Sequence, residues 1–243
     1  MYNFSEYGFI MVKKGDLIIK NVIAGNIWGK YSLELWKNYI NQISENSTVI
    51  DVGAYTGIYS LLASSLRNDI KILAIEPMSN NFLRLKENIK INGFKNIEAI
   101  RAALGDEDKK GFLLVNNSTS HPSASSLKEH EKRNTIKKEE IKILKGESLI
   151  DKESIVELIK IDVEKTEPQV IKGFFDLIKR HHPILFVEAL TNHDLDEIME
   201  LCKQYGYNTF LQILEEEEKT KQIQYSSDYI VGTGRNFIIK KKD

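Results

Sequence analysis

From residue 48 onward the apolar positions fall into short runs, and most runs are followed by a stretch with helical spacing. The runs at 48–53 (TVIDVG), 71–75 (KILAI), 97–102 (IEAIRA), 157–162 (ELIKID) and 184–189 (ILFVEA) have the length and Ile/Val/Leu content of strands buried on both faces. Between and after them, helices are predicted over about 57–67, 79–92, 167–179 and 194–205. Ser79 is the N-cap candidate of the second of these and Gly93 its stop signal. Strands near 207–213 and 236–240 close the chain. Alternating strands and helices predict an α/β fold, a parallel sheet covered on both faces.

Two segments stand outside that rhythm. Residues 8–12 (GFIMV) and 17–23 (LIIKNVI) flank Lys13-Lys14-Gly15-Asp16 and read as a β-hairpin. The pattern Leu33, Trp36, Tyr39, Ile40, Ile43 then has helical spacing, so residues 1–46 form a hairpin-and-helix cap ahead of a main domain at 47–243. Within that domain, residues 116–126 (NNSTSHPSASS) are small and polar, and 128–147 are laced with Lys and Glu. The stretch 116–147 therefore reads as a surface insertion, placed where lids and substrate contacts occur in such sheets.

Composition changes this picture little. The chain has 243 residues, a formal net charge of -1 and a single cysteine, Cys202. No internal disulfide and no cysteine-based zinc site can form, which suits a reducing cytoplasm. A near-neutral balance gives no general call for nucleic acid as partner. The start, MYNFSEYGFIMVKKGD, lacks the basic and apolar regions of a signal peptide. No apolar run reaches the length of a spanning helix, so no membrane partner is expected.

The sharpest chemical signal is VIDVGAYTGIYSLLAS. A strand ends at Asp51, Gly53 and Gly57 follow, and a helix begins at once. Glycines here let the backbone turn tightly and approach a ligand. A dinucleotide fold would want G-x-G-x-x-G to cradle a pyrophosphate, whereas this loop reads D-x-G-x-x-x-G, and Asp51 would repel a phosphate. Glu76 ends the next strand, 19 positions after Gly57, where a carboxylate accepts from both ribose hydroxyls of a nucleoside. The implied ligand is a nucleoside with a cationic amino-acid tail and no phosphate, which describes S-adenosyl-L-methionine. Ala54 and Tyr55 of the glycine loop belong to this site. The adenine is expected near RAALGD, against the backbone of Ala103 and Leu104, with Asp106 as candidate for its amino group.

The segments VIDVGAYTGIYS, AIEPMSNNFLRLKENIKING, AALGD, LIKIDVEKTEPQVIKGF and PILFVEAL, in this order, resemble the FkbM-type family of S-adenosylmethionine-dependent O-methyltransferases. The resemblance covers most of residues 48–190. It implies a class I, Rossmann-like seven-stranded sheet with its last strand antiparallel, and a sugar or sugar-nucleotide hydroxyl as acceptor, often on the way to a surface polysaccharide. One departure lies at IDVEKTEP: the family usually runs Asp-x-Glu-Gly-x-Glu, and Lys165 stands here in place of the glycine.

Methyl transfer to an alcohol needs the hydroxyl aligned and its proton removed. Asp162 ends the fourth strand beside the expected cofactor and Glu188 ends the neighbouring one. Two alternatives stay open. The carboxylates accept the proton, with Asp162, Glu164 and His121 as the catalytic candidates. Otherwise His121, Asp162 and Glu188 hold a divalent metal, a set suited to Mn(II) or Fe(II) better than Ca(II), with Mg(II) also accommodated. Glu167 reads as a helix-start residue favoured by the dipole, His193 as a reserve base or ligand, His181 and His182 as capping residues, and Glu215–Glu218 as a solvated turn. The rival classes are a nicotinamide oxidoreductase, disfavoured by the glycine spacing, an RNA or other small-molecule methyltransferase, and a nucleoside-binding module without turnover. A homo-oligomer through the apolar hairpin is a further expectation.

Overall fold

The computed structural model describes residues 1–24, 29–116, 136–229 and 235–242. The chain opens with a hairpin, β1 (Tyr2–Phe4) and β2 (Phe9–Met11), followed by two helices, α1 (Leu17–Ile23) and α2 (Lys30–Ile40). Next come β3 (Thr48–Val52), α3 (Ile58–Leu66), β4 (Lys71–Ile75), α4 (Ser79–Asn92) and β5 (Ile97–Ile100). Three strands then form a small separate sheet: β6 (Ala103–Gly105), β7 (Lys109–Asn116) and β8 (Ile136–Lys145). The main fold resumes with β9 (Val156–Ile161), α5 (Glu167–Gly173), α6 (Phe175–His181), β10 (Ile184–Glu188) and α7 (Asn192–Gln204). It ends with β11 (Thr209–Leu214), β12 (Lys219–Ile223) and β13 (Asn236–Lys240).

The large sheet has the order β12-β11-β13-β10-β9-β3-β4-β5. β5, β4, β3, β9 and β10 are parallel, and β13 enters antiparallel between β10 and β11. The chain leaves β3 toward β4 and β5, then returns to lay β9 on the other side of β3. That reversal opens a crevice at the carboxyl ends of β3 and β9, the usual ligand position in such sheets. Alternation along the strands splits the core in two: Ile50 and Ile159 point into one apolar cluster, Val49 and Leu158 into the other. Trp36 of α2 is fully buried in the second cluster, edge-on to Tyr59 and Phe186, so residues 1–46 share their core with the sheet.

Five expectations change. The fold is the one expected, but the sheet has eight strands, because Lys219–Ile223 adds an edge strand to β11. Residues 17–23 are helical, not a hairpin strand, and the hairpin lies one segment earlier, turning between β1 and β2. Asp16 decides this: it N-caps α1 by accepting from the Ile19 amide at 3.0 Å. Of the 116–147 insertion, Ile136–Lys145 is strand, since β8 pairs along β7 and buries Ile141 and Ile143. Ser79 is not a cap but the first residue of α4, and its amide and hydroxyl donate to Glu139 of β8, each at 3.0 Å. Glu215 is not merely solvated: its carboxylate accepts from the Tyr31 amide at 2.9 Å and also from Ser32 at the start of α2. Both helix starts are thus closed by carboxylates remote in sequence, one on β8 and one in the turn after β11, which favours them doubly through hydrogen bonding and the helix dipole.

Candidate active site

A cavity of about 350 Å³ opens at the crevice between β3 and β9. Its floor is the glycine loop after β3. The amides of Gly53 and Ala54 both donate to the Ile75 carbonyl at 2.9 Å, and the Asp162 amide donates to the Val52 carbonyl at 3.0 Å. Gly53 lies at φ +80, and a Cβ there would run into the Asp162 carbonyl oxygen. The residue type is therefore set by the close approach of two strand ends as well as by φ.

At one end of the cavity Glu76 presents a buried carboxylate. It accepts from the Tyr55 and Met78 amides at 2.9 Å each and from the Asn81 side chain at 3.4 Å. Burial raises this carboxyl to about 7, although its three donors and their geometry favour the charged form. Met78, Ala103, Leu104 and Leu113 make an apolar slot beside it, of a kind that fits a flat heterocycle. Asp51 lines the cavity between its two ends. Ser60 donates to Asp51 Oδ2 at 2.6 Å, while Oδ1 is buried without a partner, and burial raises this carboxyl too. A buried carboxylate oxygen left without a partner beside a cavity fits an ammonium group of a ligand.

The opposite end is acidic. Asp162, Glu164 and Glu188 line it together with Lys160 and Tyr59. Glu188 is held well above the carboxylate range, first by burial and then by Asp162, which lies within hydrogen-bond reach of it. Lys160 donates to Asp162 Oδ2 at 2.7 Å and sits 4.6 Å from the centre of the Tyr59 ring. Glu164 and Lys165 both adopt left-handed backbone, φ +60 and +78, so the loop keeps the shape a glycine would favour at 165 with a lysine in its place. Glu167 holds that loop. It is fully buried, and its Oε1 accepts from the Val163 and Lys165 amides at 3.3 Å. It therefore does more than start a helix: it closes the loop that carries Glu164, and burial raises it to about 7.

The structure thus brings together Asp51, Gly53, Ala54, Tyr55, Glu76, Ala103, Leu104, Asp162, Glu164 and Glu188 around one cavity. Gly57 lies just behind it, packed on Leu85 at the start of α3. Asp106 does not join: it is exposed and outside the cavity wall. His193 is exposed on the first turn of α7. His121 lies outside the described residues. Among the described residues, no three His, Cys, Asp or Glu side chains form a metal-binding group.

Sequence reasoning missed Lys160, Leu113 and the wall formed by Leu17, Ile18 and Asn21 of α1. Lys160 carried a signal: a lone cation in an apolar strand, two residues before Asp162 and so on the same face. The α1 wall carried one in Asp16, an N-cap residue ahead of an apolar run. Leu113 carried none, because only the pairing of β7 with β8 brings it to the cavity.

The family model of the methyltransferase FkbM domain matches residues 51–209, and the chain belongs to that family. It is 26% identical over 153 residues to "Methyltransferase 1" of Beauveria bassiana, covering 54% of this chain and 60% of that protein. It is 33% identical over 81 residues to an uncharacterized protein of Methanocaldococcus jannaschii, covering 33% of this chain and 29% of the other. These matches span less than two thirds of either relative's length. Among solved structures, an FkbM methyltransferase of Methylobacillus flagellatus shares the fold at a TM-score of 0.52 and 15% identity, over 81% of this chain and 44% of that one. A Streptococcus mutans protein solved in complex with SAH does so at a TM-score of 0.51 and 12% identity, over 86% of this chain and 97% of that one.

Proposed function

We propose that this protein is an S-adenosylmethionine-dependent O-methyltransferase whose acceptor is a sugar hydroxyl, free, nucleotide-activated or borne on a glycan. The observation that carries the reading is the cavity with two chemically different ends. One end offers a nucleoside its ribose acceptor (Glu76), its heterocycle slot (Met78, Leu113) and an unpartnered carboxylate oxygen for an ammonium (Asp51). The other offers carboxylates suited to several hydroxyl groups. Membership of a methyltransferase family and the likeness to a protein solved with SAH support the cofactor assignment.

In this reading the acceptor oxygen attacks the sulfonium methyl in line. The O–C bond forms as the C–S bond breaks, and the electron pair of the latter passes to sulfur, which leaves as a neutral thioether. The hydroxyl proton passes to Asp162. The glycine loop and Glu76 hold the donor, and the loop closed by Glu167 presents Glu164 to the acceptor.

Binding of SAH followed by methyl transfer to a panel of sugar nucleotides, read by mass spectrometry, tests the reading. Asp162→Asn is expected to lower transfer by about 10²-fold or more while sparing SAH affinity. Transfer to an RNA substrate but to no sugar would replace the acceptor class; no SAH binding would remove the assignment altogether.

A further inference from the structure

Asp162 and Glu188 stand on neighbouring strand ends, the arrangement that invites a divalent cation between them. The structure puts a different cation there. Lys160 faces Asp51 across the β3–β9 pairing and Phe186 across β9–β10, at the centre of the parallel sheet. Only 5% of its surface is exposed. Its ammonium donates to Asp162 Oδ2 at 2.7 Å and rests over the Tyr59 ring at 4.6 Å. Among the described residues, the charged groups that act on it are acidic: Asp162 just beyond its own strand, Asp51 on β3 and Glu188 on β10. A buried lysine is tolerated when its charge is matched in this way.

A metal bridging Asp162 and Glu188 would have to share Asp162 with that ammonium, and two like charges a few ångströms apart repel strongly away from bulk water. The described residues therefore do not fit a divalent ion. Resting on the methyltransferase reading above, we propose that Lys160 is the resident cation of the acceptor site, standing where a metal would otherwise stand, and that it acts as a positioning residue through Asp162 in a metal-independent transfer. Its hydrogen bond fixes Asp162 Oδ2, and with Glu188 within hydrogen-bond reach of the same carboxylate it holds Asp162 in one orientation toward the acceptor hydroxyl. The ammonium keeps its proton throughout; the acceptor's proton goes to Asp162.

Two experiments test this. The first needs no acceptor. Wild-type protein, exhaustively chelated and titrated with MnCl2, is expected to leave the free Mn(II) electron paramagnetic resonance signal unquenched. One equivalent of bound Mn(II) that disappears in Asp162→Asn would overturn the proposal, whatever the acceptor proves to be. The second uses the active enzyme. Lys160→Met is expected to lower kcat by about 10²-fold with SAH affinity held within about threefold. The double variant Lys160→Met/Asp162→Asn should be no slower than Asp162→Asn alone, because the lysine acts through the aspartate. Losses that multiply, or wild-type kcat in Lys160→Met, would overturn the positioning role. Absence of transfer to every acceptor counts instead against the functional reading, and the Mn(II) titration still decides the cation.

Discussion

Glu76 shows how one residue can be costly and useful together. Its carboxyl is raised to about 7 by burial, so near neutrality a good part of the protein carries it protonated. Two ribose hydroxyls donate best to the ionised form. SAH affinity is therefore expected to rise as pH increases from about 6 to 8, and Glu76→Gln should weaken binding and flatten that rise. Isothermal titration across this range checks both outcomes. Lys165 is the second instructive residue. It occupies a left-handed conformation, φ +78, that costs an L-residue about 1–2 kcal/mol and a glycine little. Lys165→Gly removes that strain but gives the unfolded chain more freedom, which offsets part of the gain. The expected net effect is a stabilisation of about 0.5–1 kcal/mol, measured by urea unfolding.

Among the elements, α4 connects the cofactor loop to the N-terminal segment. Asn88 is fully buried; its Oδ1 accepts from the Val12 amide and its Nδ2 donates to the Thr56 carbonyl, both at 2.8 Å. One turn on, Asn92 exchanges hydrogen bonds with Ile10 at 2.7 and 2.8 Å. Asn88→Ala would strand an amide and a carbonyl in the interior, at about 1–3 kcal/mol for each buried group left unpaired. Hydrogen exchange should show Val12 losing protection more than β3 or β9 does, because the loss is local before it is global. The central strands and helices were legible because their apolar periods are strong and their length unambiguous. The failures are physical as well. LIIKNVI is rich in β-branched residues, and its helix depends on a cap and on packing against the cavity. β8 carries Lys and Glu at most positions, and in the described part of it only Ile141 and Ile143 are buried, so its pattern looks like a solvated loop. The clustering of Asp51, Gly53 and Glu76 around one cavity at two strand ends was readable from spacing. Leu113 and the Lys160–Asp162 contact depended on which strands become neighbours.

Taken as one molecule, the protein concentrates its poorly solvated acids around a single crevice. Asp51, Glu76, Glu167 and Glu188 are all raised above the ordinary carboxylate range, each first by burial. A carboxyl raised on folding binds its proton more tightly in the native state than in the unfolded chain. Its contribution to stability is then fully present below the unfolded pKa, and is lost as pH climbs through the folded value. For Glu76 and Glu167 that window runs from 4.5 to about 7. The loss is up to about 3 kcal/mol for each residue, before relaxation of the native state reduces it. Asp69 and Asp228 shift the other way, through Arg67 and through the Gln224 and Tyr225 amides, so they act only at lower pH. The ligand-free protein should therefore melt at progressively lower temperature as pH is raised from about 5 to 8. A Glu76→Gln/Glu167→Gln variant should show a flatter profile, since an amide keeps the uncharged state throughout. Under the proposed function SAH is expected to reverse the trend in part, by favouring the ionised Glu76 and stabilising the native state by mass action. Differential scanning calorimetry at constant ionic strength, with and without SAH, checks all three curves, and a melting temperature that rises across this range without ligand would show that the crevice carboxylates are solvated rather than buried.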